Sequence, residues 1–222
     1  MANLIMKYFG LFGLVLFSAF YFRLYKFENF KTKENRFREK NSSIVLGIGD
    51  EVNDFTLRSI NGKNYSLATY PSAKGFIIVF ASNYCPFSKS YEDRLLALDK
   101  KYSLKLYPVI AINPNDPQAY EEEKLENMQA TSKEKGFTFS FLIDEKQQVA
   151  KNFGATRTPH VFIVKKENGK YIIKYSGAID DNPQDPAGIT KNYVEDALTN
   201  ILENKPVKNQ QTKPIGCAIR WK

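Results

Sequence analysis

The chain predicts an α/β fold in which parallel strands alternate with helices and an antiparallel hairpin closes one edge of the sheet. Three observations predict it. GFIIVFAS at residues 75–82 and LKLYPVIAIN at 104–113 are continuous apolar runs, the pattern of strands buried on both faces. Each is followed by a longer segment of helical character, and strands alternating with helices imply a parallel sheet covered on its faces. Late in the chain, TPHVFIVKKENGKYIIKYSGAI places Asn168-Gly169 between two apolar stretches, a hairpin signal.

Taken in order, the chain opens with Lys7 ahead of the apolar run YFGLFGLVLFSAFYF at 8–22, which Arg23 closes. No small-residue cleavage pattern follows it, and no cysteine for lipid attachment. Residues 1–26 are therefore expected to be a membrane anchor or a signal segment containing a hydrophobic helix. The domain that follows is expected to be membrane-anchored or exported, in the cell envelope. Its orientation is open, because more positive charge follows the run than precedes it. Residues 27–43 form a charged linker, residues 44–204 the folded domain, and residues 205–222 a polar tail carrying Cys217.

Within the domain, Asn61-Gly62 between Phe55-Thr56-Leu57 and Tyr65-Ser66-Leu67 marks a first hairpin. The 75–82 strand leads into a helix from Pro86 to Tyr102, with Tyr91, Leu95, Leu96, Leu98 and Tyr102 near one face. The 104–113 strand leads through NPNDP into a charged helix over 117–135, ended by Gly136. FTFSFLID at 137–144 is a strand, EKQQVAKNFG a short helix closed by Gly154, and 189–202 a last helix after the closing hairpin.

Composition narrows the function. The formal charge of +8 is spread over the two ends, with no zinc finger or RNA-recognition signature, so nucleic acid is not an expected partner. Two cysteines do not make a disulfide scaffold, and with His160 the one histidine a structural zinc set cannot be assembled. No cofactor is called for. Asp180, Asp181 and Asp185 lack the spacing of a calcium loop and fit a solvated turn. His160 is either a base or a structural residue at the start of a buried strand.

The chemistry concentrates at SNYCPFSKS, residues 82–90. Cys85 stands where an apolar strand gives way to a helix, and the first helical turn favours a thiolate over a thiol. Pro86 suits that turn because it has no N–H to leave unpaired, and Lys89 adds positive charge. The alternative is that Cys85 is simply a small buried apolar residue.

Cys85-Pro86-Phe87-Ser88 in this setting resembles the active site of the thioredoxin fold. ATRTPHVFIV at 155–164 resembles the loop of that fold whose cis-proline, here Pro159 after Thr158, faces the nucleophile. GDEVNDFTLRSINGKNYSL resembles the start of the redoxin domain, and INPNDP, GAIDDNPQDP and the terminal GCAIRWK extend the likeness over residues 47–222. The chain is thus identified as a member of the thioredoxin-like redoxins, the superfamily of alkyl hydroperoxide reductases and thiol-specific antioxidants, with a CxxS-type site.

The resemblance implies a three-layer thioredoxin-like fold and an oxidoreductase performing thiol–disulfide exchange at Cys85. It implies substrate contacts from Pro86, Ser88, Thr158 and Pro159, with the main chain of Thr158 free to pair with an extended substrate. The implied partner is a disulfide- or thiol-bearing protein, a low-molecular-weight thiol, or a peroxide. Two departures matter: Ser82 and Ser88 stand where related sites carry a second cysteine, so resolution inside the motif is impossible. Cys217 is a resolving cysteine, a thiol used with another protein, or a packed structural residue. A peroxidase is an alternative, with Ser82 at the hydroxyl position and Arg94 or Arg157 as cation, although Ile78 stands where a peroxiredoxin has proline. A non-catalytic binding module on the same fold is the other.

Overall fold

A computed structural model describes residues 45–222, which form one compact unit, Val45–Lys222. The expected anchor or signal segment and the charged linker lie outside the described residues. Among the described residues no helix is long and apolar enough to cross a membrane.

Among the described residues, ten strands and five α-helices follow in chain order: β1 (Glu51–Val52), β2 (Thr56–Ser59), β3 (Asn64–Ser66), β4 (Gly75–Phe80), α1 (Pro86–Ser90), α2 (Glu92–Tyr102), β5 (Val109–Asn113), α3 (Leu125–Lys135), β6 (Ser140–Ile143), α4 (Gln148–Phe153), β7 (Arg157–Thr158), β8 (His160–Glu167), β9 (Lys170–Gly177), α5 (Tyr193–Leu202) and β10 (Cys217–Ala218). Eight strands make one mixed sheet in the order β1-β9-β8-β4-β5-β6-β2-β3. The central strands β4, β5 and β6 run parallel, while β8 and β9 add antiparallel neighbours. β10 and β7 pair apart from it as a two-stranded ribbon.

The central apolar runs are buried on both faces, as their composition predicts. Ile77 and Val79 of β4 join Leu95 and Leu98 of α2, Met128 of α3, and Leu198 and Ile201 of α5 in one apolar layer. Phe76, Ile78 and Phe80 alternate to the other face, where Val149, Ala150 and Phe153 of α4 cover them. Helices on both faces of a mixed sheet make this a three-layer, thioredoxin-like architecture. The closing hairpin turns at Asn168 and Gly169, with φ of 51° and 82°, the left-handed pair that such a tight turn needs.

Two helices differ from the sequence expectation. The Pro86–Tyr102 helix is divided at Tyr91, a buried residue with φ −97° and ψ −5° whose hydroxyl donates to Asp180 at 2.7 Å. The helix expected over 117–135 begins only at Leu125. One turn at Glu121–Glu123 precedes it, and Lys124 is extended, with φ −66° and ψ 148°. The extended residue lets Glu123 turn inward, where it is 2% exposed.

Candidate active site at the Cys85 loop

β4 ends at Phe80 and delivers the loop Ala81–Tyr84 to the start of α1. Cys85 caps that helix, with φ −66° and ψ 122°, and Pro86 is its first helical residue. The loop is fixed by its own serines. Ser82 Oγ accepts the N–H groups of Tyr84 at 3.1 Å and Cys85 at 2.9 Å. Ser82 N–H in turn donates to Ser88 Oγ at 3.2 Å. Ser82 and Ser88 are both buried, so the two positions that lack a cysteine hold the backbone around the one that has it.

Behind the loop lies Glu123. Its carboxylate accepts Ser82 Oγ–H at 2.5 Å and Asn83 N–H at 3.1 Å. It also accepts the side-chain amides of Asn113 and Asn115, each at 2.7 Å. Those asparagines come from the end of β5 and the loop after it, so two strand ends and one turn converge on one buried carboxylate. Four donors to two oxygens satisfy it without a cation. The sequence does not single out this residue, because Glu123 sits in the charged run EEEKLEN. The available signal was the pair of asparagines in INPN, polar residues at a buried strand end that require a partner.

On the other side of Cys85 is the Thr158–Pro159 peptide, which is cis. Thr158 and Pro159 are buried, and the Thr158 carbonyl oxygen lies 3.0 Å from Cys85 Sγ. In the paired state that sulfur carries no hydrogen, so this is a packing contact and not a hydrogen bond. Cys85 forms a disulfide with Cys217, 132 positions away, with the Cα atoms 6.1 Å apart, inside the range a disulfide spans. The tail reaches that point as a strand: β10 pairs antiparallel with β7, Cys217 opposite Thr158 and Ala218 opposite Arg157. The main-chain edge expected to receive a substrate is occupied by the chain's own tail. Cys85 is 1% exposed beneath it, whereas Cys217 is half-buried and Pro86 and Lys89 face solvent.

The remaining candidates are engaged elsewhere. Arg94 donates to Asp180 at 2.7 Å and to the carbonyls of Asn182 and Pro183, and its guanidinium stacks on Tyr91 at 3.9 Å. Arg157 donates to the Gly216 carbonyl at 2.8 Å. Asp181 caps the Thr190 and Lys191 N–H groups, and Asp185 accepts from Ala187 N–H, so the three aspartates serve separate turns. Among the described residues no group of three or more acidic, histidine or cysteine side chains is placed to hold a metal. His160 lies behind the cis peptide, 6% exposed. Burial lowers its pKa to about 4. Its Nδ1 accepts Thr156 N–H at 3.4 Å, which leaves Nε2 to carry the proton and donate to Ser176 Oγ at 3.1 Å. His160 is therefore a neutral packing residue here.

Known proteins share the family and the fold of this chain. Residues 48–180 match the model of the AhpC/TSA family. A thiol-disulfide oxidoreductase, ResA, from Geobacillus thermodenitrificans is 27% identical over 139 residues, covering 61% of this chain and 71% of that protein. The crystal structure of a hypothetical protein from Sinorhizobium meliloti superposes with a TM-score of 0.73 at 32% identity, over 80% of this chain and 96% of that one. That of an uncharacterized conserved protein from Geobacillus kaustophilus does so with a TM-score of 0.72 at 34% identity, over 79% and 93%. The chain belongs to the AhpC/TSA family.

Proposed function

We propose that the protein is an oxidoreductase that carries out thiol–disulfide exchange through Cys85, with Cys217 as its resolving partner. The observation that carries this reading is the disulfide between a helix-capping cysteine and a tail cysteine seated on the Thr158–Pro159 loop. Membership of the AhpC/TSA family and the likeness to a thiol-disulfide oxidoreductase support the reaction class.

In the reduced protein Cys85 is the sulfur suited to attack, because the N–H groups of the first helical turn favour its thiolate. The thiolate attacks one sulfur of a partner disulfide. A Cys85–partner bond forms, the partner's S–S bond breaks, and its other sulfur leaves as a thiolate. Cys217 thiolate then attacks Cys85 Sγ and releases the first partner sulfur. Two electrons have passed from the cysteine pair to the partner, which leaves as a dithiol. Run backwards, the same steps oxidise a dithiol. The same reading puts the domain in the cell envelope, where disulfides persist, delivered or held by residues 1–26.

The test uses two variants of the full chain. Cys217→Ser, reduced and offered a disulfide-bearing protein such as insulin, should accumulate a mixed disulfide on Cys85, because resolution is lost. Cys85→Ser should accumulate none. Equal behaviour of the two variants would sink the exchange reading. Conversion of Cys85 to a sulfenic acid by hydrogen peroxide, much faster than that of free cysteine, would replace it with the peroxidase reading.

A further inference from the structure

We propose that the edge of β7 and the groove beside it bind an extended, cysteine-bearing segment of a partner protein that imitates the tail: glycine immediately before the cysteine and a branched aliphatic residue two positions after it. The inference rests on the exchange reading and gives that reading a substrate class. The tail is the resident competitor for the same place.

The glycine requirement is steric. A Cβ added at Gly216 would lie 2.2 Å from the Thr158 carbonyl oxygen, 2.6 Å from its carbon and 2.9 Å from Pro159 N. All three are backbone atoms of the loop that packs on Cys85, so they cannot turn aside as a side chain would. Any larger residue lifts the strand off the edge and carries the cysteine sulfur with it. Arg157 fixes the same position from the other side, donating to the Gly216 carbonyl at 2.8 Å.

The aliphatic requirement comes from Ile219. It is 4% exposed and belongs to the apolar layer that includes Phe80, Phe153, Ala155 and Phe162. Its N–H reaches the Thr156 carbonyl at 3.3 Å. Ala218 between them is exposed and free to vary. These contacts are main-chain pairing, one close glycine approach and one apolar socket, and all are available to any chain with the same pattern.

Two further observations make the site a place of exchange. With the tail seated, Cys85 is 1% exposed, so a partner reaches it only after the tail leaves. Past Ile219 the tail is anchored by contacts a foreign segment need not copy. Gln147 donates to the Arg220 carbonyl at 2.7 Å and accepts Lys222 N–H at 2.8 Å, and Asn115 accepts Arg220 N–H at 3.0 Å. In the reduced protein the partner's strand replaces the tail and its disulfide is attacked by Cys85. The tail then returns to the same edge, and Cys217 displaces the partner's sulfur from Cys85. Releasing the partner's strand and its sulfur is one event.

The experiment uses full-length Cys217→Ser, reduced, and synthetic peptides whose cysteine is activated as a mixed disulfide with thionitrobenzoate. Cys85 attack on the peptide sulfur releases the coloured thiolate. A peptide containing Gly-Cys-Ala-Ile should react about tenfold faster or more than versions with alanine before the cysteine or serine in place of isoleucine, a discrimination typical of one apolar or steric contact. A second variant, Ile219→Ser combined with Cys217→Ser, should capture the matched peptide faster still, because the resident strand is weakened. Equal rates for all peptides, alongside normal attack on a small aromatic disulfide, would overturn this proposal and leave the exchange reading standing. No attack by Cys85 on any disulfide would overturn the exchange reading itself. A disulfide-linked dimer forming in preference to the peptide adduct, when Cys85→Ser and Cys217→Ser chains are mixed, would assign the groove to a second copy of this chain in place of a partner protein.

Discussion

Around Cys85, four buried donors close on the Glu123 carboxylate. Around Cys217, the tail is held by a two-residue strand, a glycine pressed on a carbonyl and an isoleucine in an apolar socket. The first arrangement is specific to its side chains, and losing any member strands the others. The second is mostly main chain and generic apolar contact, which another segment can reproduce. Under the proposed exchange reading, the attacking cysteine stands on the fixed side and its resolving partner on the replaceable one.

The strongest way to break that contrast is to empty the fixed side. Glu123→Ala leaves Ser82, Asn83, Asn113 and Asn115 donors facing nothing in a buried region. The expected cost is about 4 kcal/mol, from several unmet donors at roughly 1–3 kcal/mol each with some relaxation. Urea unfolding of the oxidised protein would show it as a lower midpoint with an unchanged slope. Glu123→Gln should fall between, since its single carbonyl cannot accept all four donors. A midpoint within about 0.5 kcal/mol of the parent, the range of an ordinary surface substitution, would mean that the network does not hold the loop.

A smaller effect, reached through pH, acts on the other side. His160 supports Thr156, which leads into β7 and accepts from Ile219. Its folded pKa of about 4 lies below the ordinary value of 6.5, so between those values the unfolded chain binds more protons. Stability from this residue is fully present above pH 6.5 and is lost as pH falls through the window to 4. The full loss is about 3 kcal/mol, at roughly 1.4 kcal/mol per pH unit. His160→Gln, which keeps an acceptor and a donor, should flatten that part of the profile. Subtracting its unfolding free energies from the parent's isolates the histidine from the carboxylates that titrate nearby. A difference that stays constant from pH 7 to about 4 would exclude the assignment.

The same contrast explains what could be read in the chain beforehand. β4 is visible because an unbroken apolar run has few other places to go, and Cys85 is visible because it ends that run beside a proline suited to a helix start. The hairpin at Asn168-Gly169 is local chemistry and was legible for the same reason. Glu123 was not legible, because inward and outward carboxylates have the same composition and only the extended Lys124 turns this one inward. The pairing of Cys85 with Cys217 is not legible for a different reason. A separation of 132 residues carries no distance, and composition does not say which residue of the tail docks. It is Ile219 that does so, while Trp221 stays 44% exposed.

The smallest expected effect is the sharpest probe of the exchangeable side. Thr158 stands at the centre of the edge, fully buried, and its Oγ1 has no hydrogen-bond partner among the described residues. A stranded hydroxyl costs free energy that an isosteric methyl does not. Thr158→Val keeps the shape and the main chain that pairs with Cys217, so the oxidised protein should gain about 1 kcal/mol in urea unfolding. A loss of similar size would mean that the hydroxyl is bonded in solution, most simply to an ordered water, and that this edge depends on side-chain polarity after all. A gain, together with an unchanged rate of disulfide capture by Cys85, would establish that the edge works through its backbone, as a site that trades one strand for another must.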